Sequence, residues 1–88
     1  MKDVPYRPIA CGLHETYQLA VIRQMEIDLV WRTDGGQRLE ARVRADDVFT
    51  ESQAEYLRVA TRTGEKHVIR LDNIESAHWA ETGRPLSE

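Results

Sequence analysis

Apolar residues recur along the first part of this chain with a helical period. From about Leu13 to Gln24 they return every three or four residues, and one face carries Leu13, Tyr17, Ala20 and Val21. This spacing predicts an amphipathic helix over 13–24. Its polar side carries His14, Glu15 and Gln18, with Glu15 in the predicted first turn. Leu19 and Ile22 fall outside the stripe, so they are either covered by a second contact or left as exposed apolar surface.

The period then changes to two, which is typical of strands. Alternating runs cover 25–32 and 39–44, and Asp34-Gly35-Gly36 between them supplies residues that tolerate the positive φ of a tight hairpin. A loop at these residues predicts a register. On the inner face it pairs Trp31 with Leu39, Leu29 with Ala41 and Ile27 with Val43; on the outer face it pairs Asp28 with Arg42 and Glu26 with Arg44. A shift by one residue would place apolar side chains opposite charged ones.

The rest of the chain predicts three more short strands. Residues 45–52 are expected to form a connection, followed by strands over about 55–61, 66–71 and 74–79 with turns at Thr63-Gly64 and Asp72-Asn73. The predicted core contains Ile27, Leu29, Trp31, Leu39, Val43, Leu57 and Val59. The fold class is therefore mainly β with one α-helix, arranged as a small five-stranded antiparallel barrel, closed or nearly closed, with the helix capping one end. We expect one domain over 1–80 and a flexible tail over 81–88.

Composition narrows the classes of function. The chain has 88 residues, with 15 acidic and 12 basic side chains and a net charge of -3. This balance argues against a general nucleic-acid binder and is compatible with a partner that presents a basic surface. One cysteine, no secretory signal pattern and no long apolar run predict a cytoplasmic protein.

Catalytic chemistry is not indicated. The chain has no nucleophile elbow, phosphate-binding loop or dinucleotide fingerprint, so we expect neither an enzyme nor a cofactor. Cys11 and His14 have the spacing of half a zinc site, but without a second cysteine we expect no metal site. Asp46-Asp47 is interpreted as a pair of solvated residues in the strand connection.

Arginines alternate onto the outer faces of the predicted strands. They are Arg42, Arg44, Arg58 and Arg70, with Tyr56 nearby. Such a stripe can bind single-stranded RNA. The other interpretation is that these arginines pair with Glu26, Asp28 and Glu40, and we favour it because the hairpin register supplies those partners directly.

An ordered set of short motifs spans most of the chain. The set comprises Tyr6-x-Pro8-Ile9-x-Cys11, Leu19-Ala20 in the helix, the Asp-Gly hairpin, Glu55-Tyr56-Leu57, Gly64-Glu65 and Arg70-Leu71-Asp72-x-Ile74. No single motif is specific, but in this order, over Tyr6 to Ala77, the set resembles the Rof family of Rho-binding antiterminators. The resemblance implies an Sm-like barrel with an N-terminal helix. It also implies a protein that binds the N-terminal RNA-binding region of the Rho hexamer, blocks entry of single-stranded RNA and reduces Rho-dependent termination.

The resemblance also implies where the partner binds. Family members tend to begin the helix with Cys-Asp-Asp-Tyr-Asp; here Glu15 keeps one carboxylate and His14 takes the aromatic place. The loop before the third strand is the other expected contact. The predicted partner-binding residues are His14, Glu15, Gln18, Asp46, Asp47, Glu51 and Gln53. We expect a monomer without direct nucleic-acid contact; the alternatives are an Sm-like single-stranded RNA binder using the outer-face arginines, and an adaptor for another protein.

Overall fold

A computed structural model of the protein describes residues 11–86, without the side chain of Cys11. Within this range one helix precedes five strands, and a short 3-10 turn lies between the last two strands. The elements are α1 (Cys11–Arg23), β1 (Glu26–Arg32), β2 (Arg38–Glu51), β3 (Ala54–Thr61), β4 (Lys66–Arg70), the 3-10 turn Leu71–Asn73 and β5 (Ile74–Trp79). The predicted fold class, mainly β with one helix, is confirmed. Tyr6, Pro8 and Ile9, which belong to the first motif of the Rof-like set, lie outside the described residues.

The strands form one antiparallel sheet in the order β4-β3-β2-β1-β5. The strand β5 pairs with β1, and β4 pairs with β3. The two edge strands do not pair with each other within 11–86, so the sheet stays open and strand pairing does not close the expected barrel.

The β1–β2 hairpin has the predicted register. Backbone pairing places Ile27 opposite Val43, Leu29 opposite Ala41, Trp31 opposite Leu39, Asp28 opposite Arg42 and Glu26 opposite Arg44. The Arg42 guanidinium donates two hydrogen bonds to the Asp28 carboxylate, at 2.7 and 3.1 Å. These bonds favour the ionised carboxylate and hold the pKa of Asp28 below its ordinary value. The period-two pattern and the Asp-Gly turn therefore predicted the hairpin correctly.

The strand β2 is longer than its sequence indicates. The predicted connection over 45–52 is wrong, because β2 continues to Glu51 and the turn consists of Ser52 and Gln53 alone. Pairing with β3 passes from Ala45 to Asp47, which leaves Asp46 as the extra residue of a bulge. Ser52 and Gln53 have φ of 51° and 67°, as in a type I′ turn. The usual Asn-Gly signature is absent, which is why the pattern did not reveal the turn.

The core lies between the inner face of the sheet and α1. Its buried members are Tyr17, Ala20, Ile27, Leu29, Trp31, Val43, Ala45, Leu57, Val59, Ile69, Leu71 and Leu86. Six of the seven predicted core residues are among them, whereas Leu39 is only partly buried against this cluster. The predicted helical stripe is confirmed by burial of Tyr17 and Ala20, with Leu13 and Val21 packed at the margin.

The chain after β5 turns back along that strand. The Trp79 amide donates to the Arg84 carbonyl at 2.8 Å, and the Leu86 amide donates to the Ala77 carbonyl at 2.9 Å. The Leu86 side chain is buried in the core. Part of the segment that we expected to be a flexible tail therefore packs against β5.

The helix ends in a Schellman motif at Gln24. The Gln24 amide donates to the Val21 carbonyl at 3.1 Å and the Met25 amide donates to the Ala20 carbonyl at 3.0 Å, with Gln24 at φ 53°. A residue with a Cβ is disfavoured in this left-handed conformation, whereas glycine adopts it without steric cost. We expect Gln24→Gly to raise the free energy of unfolding in urea by roughly 0.5–1 kcal/mol. Gln24→Ala keeps the Cβ and is the matched control, so an equal gain from both variants would contradict this explanation.

Candidate partner-binding surface

The polar side of α1 contacts the start of β3 through the side chain of His14. The His14 Nε2 atom lies 3.4 Å from a carboxylate oxygen of Glu55, at the start of β3. Glu55 follows Gln53 by two residues, so this contact brings the start of the helix beside the turn. We call the residues His14, Glu15, Gln18, Glu51 and Gln53 the helix–turn surface. We chose these five from the seven predicted partner-binding residues because they lie on α1 or at the β2–β3 turn.

This surface presents carboxylates that face solvent. Glu15 and Gln18 are exposed on α1, and Glu51 and Gln53 are exposed at the turn. Within 11–86 neither Glu15 nor Glu51 takes part in an ion pair. Glu15 lies beyond the first turn of α1, because the described helix begins at Cys11 and not near Leu13. The prediction that Glu15 lies in the first turn of the helix, next to the positive end of the helix dipole, is therefore wrong.

Two apolar residues on the same side of α1 were missed as site candidates. Ile22 is 77% exposed and Leu19 is 38% exposed. At helical spacing Ile22 lies one turn after Gln18, and Leu19 lies one turn after Glu15. The only sequence signal for them was their departure from the apolar stripe. Exposed apolar groups beside carboxylates and an amide give the mixed surface that is common at protein–protein contacts.

Asp46 and Asp47 interact with arginines of the sheet. The Asp46 carboxylate accepts a hydrogen bond from Arg44 at 3.1 Å, and the Asp47 carboxylate lies 3.6 Å from Arg58. The bulge at Asp46 sets both side chains into these pairs. Their charges are partly neutralised within the protein, and they are strand residues, not members of a connection.

The outer-face arginines are all paired with carboxylates. Arg42 binds Asp28, Arg44 binds Asp46, Arg58 contacts Asp47 and Arg70 binds Asp72. We predicted that these arginines form ion pairs with carboxylates. Of the three carboxylates predicted as their partners, only Asp28 pairs with one of them. The Glu26 carboxylate instead accepts two hydrogen bonds from Arg62, at 3.1 and 3.2 Å, which lower its pKa. No arginine within the described range pairs with Glu40. The unforeseen partners belong to the bulge and the 3-10 turn, which strand periodicity does not reveal.

Aromatic rings lie among these arginines on β2 and β3. Phe49 and Tyr56 are cross-strand neighbours whose rings stack with 5.5 Å between centroids and 19° between planes. The Arg58 guanidinium carbon lies 5.1 Å from the Phe49 centroid. The stack occupies one face of each ring, which reduces the ring surface that a nucleic-acid base could use.

A cleft of about 770 Å³ lies between β4 and the end of the β1–β2 hairpin. It is lined in part by Trp31, Gln53, Tyr56, His67 and Ile69. The Trp31 and His67 rings meet edge to face at 5.4 Å. Across the described part of the chain, no three His, Cys, Asp or Glu residues group as metal ligands would. Most residues that line the cleft are polar, among them Arg32, Asp34 and Asn73, and the Trp31–His67 pair forms one part of its wall.

No family model matches the chain. No curated protein matches it either.

The helix within 11–86 is too short and too polar to cross a membrane.

Proposed function

We propose that this protein inhibits the transcription terminator Rho by binding its N-terminal RNA-binding region and blocking entry of single-stranded RNA. It acts as a cytoplasmic, non-enzymatic monomer without a cofactor. The motif resemblance to the Rof family supplies the partner. The observation that carries the proposal is the helix–turn surface, where the predicted residues of α1 adjoin those of the β2–β3 turn through the His14–Glu55 contact.

Charge complementarity explains how such a surface would compete with RNA. A site that binds phosphates attracts anions, so the carboxylates of Glu15 and Glu51 would gain from facing it. Exposed Ile22 and Leu19 would add apolar contact area around them. Inhibition then needs no enzymatic step, because occupancy of the site is sufficient.

The conformation of the turn supports a role for Gln53 in contact with the partner. Ser52 and Gln53 both hold a positive φ that costs a non-glycine residue of order 1–3 kcal/mol. Strain of this kind persists where the surrounding structure imposes it, and it is enriched at binding sites.

The alternative is an Sm-like single-stranded RNA binder that uses the outer-face arginines. The cluster of Phe49, Tyr56 and Arg58 favours it, since rings beside a guanidinium can hold bases and phosphates. The ion pairs favour Rho inhibition instead, because a phosphate would have to displace the carboxylate that already binds each guanidinium.

Displacement of labelled single-stranded RNA from Rho tests the proposal. We expect the wild-type protein to displace the RNA and Glu15→Lys to need about tenfold or more protein for the same displacement, because it sets a cation against a basic site. Glu40→Lys is the matched control, since it makes the same charge change at an exposed position of β2 that lies outside the helix–turn surface. It should displace RNA as the wild type does, and both variants should unfold at nearly the wild-type temperature.

The same assay separates the two functions. Arg58→Gln should leave displacement from Rho unchanged under the inhibitor proposal, whereas the RNA-binding alternative predicts that it weakens direct binding to free RNA. Failure of the wild type to displace RNA from Rho at about 100 μM, a concentration far above that of a specific complex, would overturn the proposal. Direct binding to free RNA with a steep dependence on salt would establish the alternative.

A further inference from the structure

The two edges of the sheet differ in what covers them. Residues 84–86 return along β5, with hydrogen bonds at Ala77 and Trp79 and an isolated bridge between His78 and Pro85. At the other edge, β4 pairs only with β3 within the described range. One edge is thus covered by the chain itself, whereas no strand among residues 11–86 covers the outward backbone groups of the other.

Hydrogen bonding in the β3–β4 hairpin shows which groups of β4 point outward. The Thr61 amide donates to the Glu65 carbonyl at 2.8 Å, so Thr61 and Glu65 form a hydrogen-bonded pair. Such pairs alternate with non-bonded pairs along an antiparallel ladder. Val59–His67 is then bonded, whereas Ala60–Lys66 and Arg58–Val68 are not. The amide and carbonyl groups of Lys66 and Val68 therefore point away from β3.

The side chains at this edge combine one apolar group with a cation. Val68 is 57% exposed at the centre of β4, and Lys66 is exposed two residues before it on the same face. Exposed edge strands usually carry charges at such positions to prevent pairing with another chain. Lys66 is a charge of this kind, whereas Val68 is exposed, uncharged and has an outward amide and carbonyl, which favours addition of a strand at that position.

We propose that β4 binds an extended acidic segment of a partner protein, which adds to the sheet as a sixth strand. The amide and carbonyl groups of Lys66 and Val68 supply the main-chain hydrogen bonds. An apolar residue of the segment packs against Val68, and an acidic residue two positions away meets Lys66. Side chains on the other face of the segment enter the cleft beside Trp31 and His67. The cleft adjoins the helix–turn surface at Gln53, but the strand edge itself consists of other residues and its binding does not depend on the function proposed above.

A short peptide can test both the strand pairing and the charge. The probe is a fluorescently labelled peptide of sequence Glu-Thr-Val-Thr-Val-Thr-Glu, blocked at both ends, which presents acidic and apolar residues on one face in either direction. We expect saturable binding at or below about 1 mM, with slowing of amide exchange at Val68 by about tenfold or more. Lysine in place of both glutamates should weaken binding about tenfold, and N-methylation of both valines should abolish it, since it removes donors to the strand edge.

Substitution at the edge gives a matched pair of variants. Val68→Pro removes the outward amide and keeps the ladder to β3, because that amide has no partner there. It should weaken peptide binding about tenfold or more, whereas Val68→Thr, which keeps both the amide and the branched shape, should stay within about threefold of the wild type. If Val68→Pro fails to fold, the pair of peptides with and without N-methyl groups decides the question.

Three results would overturn the proposal. They are the absence of binding at about 1 mM, equal binding of the N-methylated peptide, and protection of the Val68 amide that rises with protein concentration in the absence of peptide. The last result would identify a second copy of the chain as the occupant of the edge. Loss of RNA displacement from Rho would leave this test unaffected, because the two experiments share no variant and no ligand.

Discussion

Leu29→Ala is expected to lower the free energy of unfolding by about 2–5 kcal/mol, the range for truncation of a buried leucine. Leu29 is fully buried in β1, the strand between β2 and β5. Its cross-strand neighbours are Ala41 and Ala77, whose short side chains cannot move into the space that the leucine leaves. The cavity should therefore remain largely unfilled, and the loss should lie toward the upper part of the range.

Unfolding in urea measures this loss. Val30→Ala is the matched control, because Val30 is the next residue of β1, points to the other face and is only partly buried. Its loss should be smaller, below about 1.5 kcal/mol. A loss below roughly 1 kcal/mol for Leu29→Ala would mean that the inward facing of β1 is wrong.

Tyr17→Phe is expected to make the protein more resistant to alkaline unfolding. Tyr17 is buried in the core, and burial raises the pKa of its phenol well above the ordinary value. In the unfolded chain the phenol releases its proton near pH 10, at about its ordinary pKa, while the folded protein still holds it. The unfolded state then binds fewer protons, so stability falls as pH rises above that value.

The expected loss from this one phenol is at most about 1.4 kcal/mol for each pH unit above 10. Below that pH the contribution of Tyr17 is fully present, so the two proteins should differ there by a constant amount. Urea unfolding between about pH 8 and pH 11 should show the two stability curves separating only in the alkaline part of the range. Tyr56→Phe on β3 is the control, and an identical pH profile for wild type and Tyr17→Phe would show that the phenol does not titrate with unfolding.

The local spacing of apolar residues was sufficient to predict the apolar stripe of the helix and the β1–β2 hairpin. In the hairpin, partners are close in sequence, so the facing of Ile27, Leu29 and Trp31 and the Asp-Gly turn specify the same register. The helix followed from spacing alone, and so did the polar side on which His14, Glu15 and Gln18 were expected. These are the parts of the site that a short window of sequence can define.

The β2–β3 region was predicted less well because its bulge and its turn leave no periodic pattern in the sequence. A bulge at Asp46 changes which side chains share a face, and a turn of Ser52 and Gln53 has no glycine to indicate it. The pairs Asp46–Arg44 and Asp47–Arg58 depend on that bulge. Asp46 and Asp47 were therefore interpreted as solvated loop residues when they are strand residues in ion pairs.

The class of fold, the hairpin register and most of the core can be predicted from the sequence alone, because each depends on burial of side chains spaced two or three to four residues apart. Three features are visible only in the folded protein: the two edge strands stay unpaired with each other within 11–86, residues 84–86 cover the β5 edge, and His14 contacts Glu55. These outcomes depend on contacts between residues far apart in the chain. These contacts form when the whole sheet and the helix pack together, so no local pattern in the sequence predicts them.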